Sequence, residues 1–353
     1  MQPFVYNALP GRVVFGSGTK SSVGEEMDQL GCSRALVLST AEQSGTAETI
    51  AASLGAKAAG TFTKATMHTP VEVSEEAVAH ARTLAADCIV AIGGGSTTGL
   101  GKAIALRTDL PQIVIPTTYA GSEMTPIIGE TEAGKKVTQR TLKVLPEVVI
   151  YDVDLTLSLP PHLSAVSGMN AVAHAVEALY ARDNNPIISL MAEECIRVLH
   201  TALPAVVSDP QSREARSDAL YGAWLGGVCL GSVGMALHHK LCHVIGGSFN
   251  LPHAETHTVI LPHATGYNAA ATPEAMRRAA RALQNDDPPR ALFELCRALQ
   301  APRSLHELGM REQDIATAAD LAVQDPYWNP RPVERDAIYS LIARAWAGEP
   351  PIS

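Results

Sequence analysis

The stretch Cys88-Ile-Val-Ala-Ile-Gly-Gly-Gly-Ser-Thr-Thr-Gly-Leu-Gly-Lys102 decides how this chain is read. Its opening run is apolar throughout, as expected of a strand with helices covering both faces. Gly93, Gly94 and Gly95 let the backbone come close to a ligand, and Ser96 is suited to N-cap the helix that follows. Free N–H groups and the positive end of a helix dipole suit a phosphate at such a junction. The spacing is neither G-x-G-x-x-G nor a Walker loop, so the reading rests on the strand-to-helix context.

Working outward, Arg12–Phe15, Ala35–Ser39, Ile113–Pro116 and Val148–Asp152 also read as strands. Helix-like stretches such as Ser21–Leu30, Val73–Ala86 and Thr98–Arg107 lie between them. This alternation predicts a parallel sheet in an α/β layer structure. A second junction, Pro116-Thr-Thr-Tyr-Ala-Gly-Ser-Glu123, offers hydroxyls and another Gly-Ser turn. Two such junctions at strand C-terminal ends fit a dinucleotide in the crevice there. The expected cofactor contacts are Ser39, Thr40, Gly93, Gly94, Gly95, Ser96, Thr117, Thr118 and Ser122, with Lys102 approaching the pyrophosphate. Strand Ala35–Ser39 runs into Thr40 rather than a carboxylate. A 2′-phosphate is then not repelled, and both NADH and NADPH are expected to bind.

After Asp154-Leu-Thr-Leu-Ser-Leu-Pro-Pro161 strand signals nearly vanish. Helical patterns punctuated by Pro and Gly run to the end. The predicted fold is therefore an α/β dinucleotide-binding domain with a Rossmann-like parallel sheet over residues 1–155, followed by an all-helical domain over 156–353.

The 353 residues carry a net charge of −9, and 18% of them are charged, below the roughly 25% of an average soluble protein. The acidic balance, with no basic run longer than Lys135-Lys136, argues against a nucleic-acid partner. The N-terminus lacks a signal-peptide pattern. The longest uncharged apolar run, Tyr221–Leu237, is short of the ~20 residues that span a bilayer and reads as a closely packed buried helix. No membrane partner is expected. Six scattered cysteines without a C-x-x-C pair read as reduced thiols of a cytoplasmic protein.

Half of the 12 histidines fall between His238 and His263. His239 and His243 are one helical turn apart, and His174 lies one turn after Asn170. Such a set suits Zn²⁺ or Fe²⁺, and it equally suits proton transfer. The residue one turn before His174 is an amide, a poor ligand where a hard metal site wants a carboxylate.

With these residues in view, the chain resembles the iron-containing alcohol dehydrogenase superfamily, whose fold is also called dehydroquinate synthase-like. The resemblance is carried by GGGSTTGLGKAIAL, IPTTYAGSEMTPI, DVDLTLSLPP, GMNAVAHAVEALYA, HHKLCHVIGGSFNLPHAETHTVILPH and NPRP. Metal-dependent members carry Asp where this chain has Asn170, and commonly Asp where it has Gly99. They also differ around Ala254 and His257. These departures are similar to the maleylacetate reductase branch, which reduces maleylacetate to 3-oxoadipate with NADH or NADPH in the catabolism of aromatic compounds. The resemblance implies that His174, His239 and His253 descend from metal ligands, with metal-free catalysis ahead of Fe or Zn. A metal-dependent alcohol or hydroxyacid dehydrogenase is the alternative.

The implied reaction is hydride addition to an enone, with negative charge building on the ketone oxygen. His243 is the expected general acid, with His239 and His174 donating hydrogen bonds beside it. Tyr119, His238, Lys240, His253 and His257 are expected to meet the substrate and its two carboxylates. Cys242, Tyr327 and Trp328 are expected to pack, and Arg331 to cap a helix or pair with an acid. The family habit implies a homodimer.

Overall fold

Strands that are apolar on both faces need helices on both sides, and the first half of the chain supplies them. A computed structural model describes residues 4–9, 11–133 and 135–352, without the side chains of Lys135 and Lys136. The chain forms two compact units, Ala8–Leu159 and Pro160–Ser353, the latter joined by Met1–Asn7.

In the first unit the strands are β1 (Arg12–Gly16), β2 (Ala35–Leu38), β3 (Ala58–Phe62), β4 (Cys88–Gly93), β5 (Gln112–Pro116), β6 (Ile127–Glu132), β7 (Lys135–Arg140) and β8 (Val148–Asp152). Six of them form one parallel sheet in the order β1-β8-β5-β4-β2-β3. Helices α1 (Val23–Gln29), α2 (Ser44–Leu54), α3 (Val71–Thr83) and α4 (Gly95–Thr108) accompany the sheet, and a single turn α5 (Val153–Thr156) follows β8. Two apolar clusters result, one around Val37, Val90 and Ile115 and the other around Leu36, Ile89 and Val114. Alternate residues of the same strands feed each cluster.

The strand order reverses between β2 and β4: from β2 the chain moves outward to β3, then returns to the other side of β2. Ligands of open α/β sheets bind at such a switch point, beyond the strand C-terminal ends. Ser39 and Thr40 follow β2 there, and the glycine loop follows β4.

Two features lie outside the sequence expectation. Strand β3 (Ala-Ala-Gly-Thr-Phe) is a sheet edge with little apolar signal, and β6 and β7 pair as an antiparallel hairpin of mostly polar residues. The sheet's hydrophobic pattern does not reach them.

The second unit is helical: α6 (Pro161–Tyr180), α7 (Pro186–Ser208), α8 (Arg213–Ser232), α9 (Leu237–Phe249), α10 (His253–Ala269), α11 (Pro273–Leu283), α12 (Pro288–Ala298), α13 (Asp314–Ala322) and α14 (Arg335–Ala347). Proline opens α6, α7, α11 and α12, where its missing N–H costs nothing. The run Tyr221–Leu237 is not one helix. It breaks after Ser232, and α9 leaves at 96° to α8. No single described helix is long and apolar enough to cross a membrane. The glycines of α8 serve packing: a Cβ on Gly226 would lie 2.9 Å from the Ala171 carbonyl oxygen. Helix α8 therefore presses directly on the segment of α6 that carries Asn170 and His174.

Candidate active site

In the α/β unit the glycine loop is shaped for close backbone approach. Gly93 has φ +152°, and a Cβ there would lie 2.4 Å from Thr97 Oγ1 and 2.8 Å from Gln43 Oε1. Helix α4 starts at Gly95, two residues before the start that a Ser96 cap implies. Gly94 is its N-cap and no side chain caps it, so Ser96 is not the cap but lies inside the first turn. The N–H groups of Gly95 and Ser96 thus lack intrahelical acceptors. Nothing would crowd a Cβ on Gly95, and the buried Thr97 Oγ1 has no hydrogen-bond partner. This loop fits a dinucleotide phosphate. Its neighbour strand is tied in by Thr117, whose N–H donates to the Gly93 carbonyl at 3.0 Å and whose hydroxyl accepts from Gln43 Nε2 at 3.0 Å. Thr118 and Ser122 remain half-buried beside it.

Three expected contacts in this unit are buried, and the role expected of Lys102 is corrected. Lys102 is wholly buried, and its ammonium donates to the carbonyls of Ser122, Thr125 and Ile127 and to Thr125 Oγ1 at 2.6–2.9 Å. It stitches the threonine-rich loop to α4 and has no donor left for a phosphate. Tyr119 is enclosed, with no exposed surface. Ser39 is likewise enclosed, its hydroxyl turned to the Thr40 carbonyl at 2.9 Å. Thr40 stays partly exposed. It is not without a carboxylate: Glu42 is held below the usual carboxylate range by its own backbone N–H and by the Thr40 hydroxyl.

In the helical unit, three helices bring the histidines together. Asn170, His174 and Glu177 form one stripe of α6, at i, i+4 and i+7. Helix α9 brings His238, His239 and His243, and α10 brings His253 and His257. The His174 and His239 rings stack with centroids 5.2 Å apart, and His239 lies 4.9 Å from His257. His253 approaches His257 at 4.3 Å.

Glu177 was not anticipated, and it organises this group. Its carboxylate is fully buried. It accepts from the backbone N–H groups of Ala236 at 3.0 Å and His238 at 2.7 Å, and contacts His239 Nδ1 at 2.6 Å. A carboxylate at Nδ1 fixes the tautomer there and leaves Nε2 for chemistry. That Nε2 is buried without a partner, as are Asn170 Oδ1, His174 Nδ1, His238 Nδ1 and His257 Nε2. Such a concentration of unsatisfied polar atoms marks a polar ligand's place. The available signal was the α6 stripe: Glu177 lies seven residues after Asn170.

The histidines divide into two kinds. Burial first, and neighbouring imidazoles second, push His174, His238 and His257 well below the usual imidazole range. They are neutral at pH 7. His238 and His257 therefore do not meet substrate carboxylates as cations; they bond each other, Nε2 to Nδ1, at 3.0 Å. His243 and His253 are exposed. His243 Nδ1 meets the Tyr327 hydroxyl at 3.0 Å, and Lys240 Nζ lies 5.8 Å from the centre of the Tyr327 ring. Tyr327 is thus part of the site rather than packing alone. Cys242 packs as expected, buried with its thiol pushed up and Sγ 3.7 Å from His238 Nε2. Arg331 caps the last turn of α10, as expected, and among the described residues it pairs with no acid. It stacks 4.1 Å above the Tyr267 ring and donates to the Tyr267 carbonyl.

The donor set does not suit a hard divalent ion. Among the described residues, His174, His239 and His253 do not close to within 4.8 Å as a trio. Asn170 offers a neutral amide where a carboxylate would bind. In the trio that does close, His238, Cys242 and His257, the facing atoms contact one another: His238 Nε2 lies 3.0 Å from His257 Nδ1 and 3.7 Å from Cys242 Sγ.

Residues 10–153 match the iron-containing alcohol dehydrogenase family, and residues 164–346 match the C-terminal domain of the Fe-containing alcohol dehydrogenase family. A maleylacetate reductase of Sphingobium indicum is 59% identical over 350 residues, covering 99% of both chains. The crystal structure of maleylacetate reductase from Rhizobium sp. strain MTP-10005 superposes with a TM-score of 0.97 at 57% identity, over 99% of this chain and 100% of that one. A 1,3-propanediol oxidoreductase is more distant, at 26% identity and a TM-score of 0.92, over 98% of this chain and 100% of that one.

Proposed function

Because the chain belongs to the iron-containing alcohol dehydrogenase family, in its maleylacetate reductase branch, we propose that it reduces the maleylacetate double bond to give 3-oxoadipate by a route that its own side chains complete without a metal. The observation that carries this reading is the layer of neutral, unsatisfied imidazoles beside Asn170, with Glu177 behind His239.

The glycine loop after β4, with Thr40, Thr117, Thr118 and Ser122, would hold the dinucleotide. When bound, the reduced nicotinamide supplies a hydride to the alkene carbon remote from the ketone. Charge then collects on the ketone oxygen. His174 stabilises it as a preorganised donor in a water-poor setting, where such dipoles count most; His239, with its Nδ1–H given to Glu177, presents Nε2 as an acceptor and helps to orient the substrate. His243, oriented by the Tyr327 hydroxyl, delivers the proton as general acid to the alkene carbon next to the ketone, which restores the C=O and completes the saturated bond. Lys240 and His253, both with exposed surface, take the substrate carboxylates. An enone needs less polarisation than a saturated carbonyl, which is consistent with Asn at position 170.

Both NADH and NADPH serve in this reading, with Glu42 weighing against the 2′-phosphate. The protein is taken as a cytoplasmic homodimer. The test is oxidation of NADH and NADPH by freshly generated maleylacetate, with and without EDTA. Turnover unchanged by chelator is expected. Loss with EDTA and return with Zn²⁺ or Fe²⁺ would overturn the metal-free route, and no turnover on maleylacetate would overturn the substrate.

A further inference from the structure

Helix α10 carries His253 and His257 on one stripe. A different stripe of the same helix, through Thr258 and Pro262, walls a separate cavity of about 320 Å³. That volume lies within the range of small-molecule sites. Its apolar lining includes Val259, Pro262, Phe293 and Cys296, and its charged lining is Arg290, Arg297 and Arg303. None of these residues belongs to the histidine site.

The charge balance is the informative part. One carboxylate, Glu294, serves two of the arginines, at 2.6 Å from Arg290 and 3.6 Å from Arg297. Among the described residues the Arg303 guanidinium has no ion pair, and Glu307 meets its backbone N–H instead, at 2.8 Å. Arg344, nearby in the C-terminal segment, is occupied by Glu349 and by the Pro350 carbonyl. Three guanidiniums thus border one small cavity, and among the described residues Glu294 is the carboxylate that pairs with any of them, in a chain whose net charge is −9. Planar guanidinium forks match carboxylates in bidentate geometry. Arg290 lies 5.7 Å from the centre of the Phe293 ring, so the charged wall and the apolar wall adjoin. An inorganic anion would leave that apolar wall unused.

We propose that this cavity binds a small organic dianion with an apolar body, its carboxylates paired with Arg297 and Arg303 and its body against Phe293 and Pro262. Isophthalate is a suitable probe, titrated into the full chain by calorimetry. Saturable binding is expected, weakened by about tenfold or more in Arg297→Gln/Arg303→Gln, as loss of charge-assisted pairs would give. Binding should be unchanged in Lys240→Gln, and matched sulfate should not displace the probe. The double variant should keep the melting temperature and maleylacetate turnover of the parent; if it does not, Arg303→Gln alone serves, with weakened binding expected. No saturable heat, full binding by the arginine variants, displacement by sulfate, or loss of binding in Lys240→Gln would each overturn the assignment.

Discussion

Glu177 meets His239 Nδ1 at 2.6 Å while accepting the backbone N–H groups of Ala236 and His238. One carboxylate of α6 therefore orients an imidazole and caps the helix that carries it. Ala236, at the N-cap of α9, has no side-chain acceptor of its own. A negative charge at that helix start also opposes the positive end of its dipole.

Glu177→Gln should lower kcat by about 10–100-fold, as loss of a partner behind a functional imidazole commonly does. The amide keeps an acceptor for the cap, so melting should fall far less than activity. Steady-state kinetics alongside thermal melts check this. Equal kcat would reduce Glu177 to a helix cap.

His243→Ala should lose about 10²–10⁴-fold in kcat, the usual span for a general acid. Tyr327→Phe removes only the 3.0 Å contact that orients the ring, so a smaller loss of kcat is expected. Equal losses in the two variants would point to Tyr327 as the proton donor.

Lys240→Gln should raise KM for maleylacetate and leave KM for NADH unchanged, because Lys240 lies in the helical unit and the glycine loop in the other. Parallel increases in both constants would contradict its role as a carboxylate partner.

Gly99 faces Thr69: a Cβ on Gly99 would come within 2.4 Å of Thr69 Oγ1. Thr69 is itself held at φ +46°, where a β-branched residue is strained. Gly99→Ala should destabilise by about 1–3 kcal/mol, and Thr69→Gly in the same chain should recover most of that loss. Denaturant unfolding of the four-member cycle reads the coupling directly. Additive effects would mean that the contact relaxes freely.

Acid should weaken the fold below the ordinary imidazole range. His263 is pushed down to about 4, by burial first and by Arg344 second. His174, His238 and His257 are also lowered by burial. Between about pH 6.5 and 4 the unfolded chain binds more protons than the folded one at His263, so stability falls as pH falls. Above about pH 6.5 that contribution is fully present. Urea midpoints measured from pH 7.5 to 4.5 should show the decline, and His263→Leu should flatten it.

Much of the fold was legible because its signals are local. The apolar strands, the glycine loop and the proline-opened helices each announce themselves within a few residues. The glycine-rich junction between β4 and α4 was legible for the same reason. Ser96 was misplaced as a cap because Gly94, not a hydroxyl residue, is the N-cap of α4, a choice made by the tight turn at Gly93. Tyr327 was read as packing because its partner, His243, lies 84 residues away.

The sequence by itself determined the two-part architecture, the glycine loop after β4 and which helices carry histidines, because periodicity and turn chemistry are written residue by residue. Only the tertiary structure decided what each polar side chain does. Lys102 became an internal tie, and His238 and His257 became a neutral buried pair. Glu177, 62 residues from His239, became its partner. Charge state and hydrogen bonding follow from desolvation and from neighbours that distant segments bring into contact.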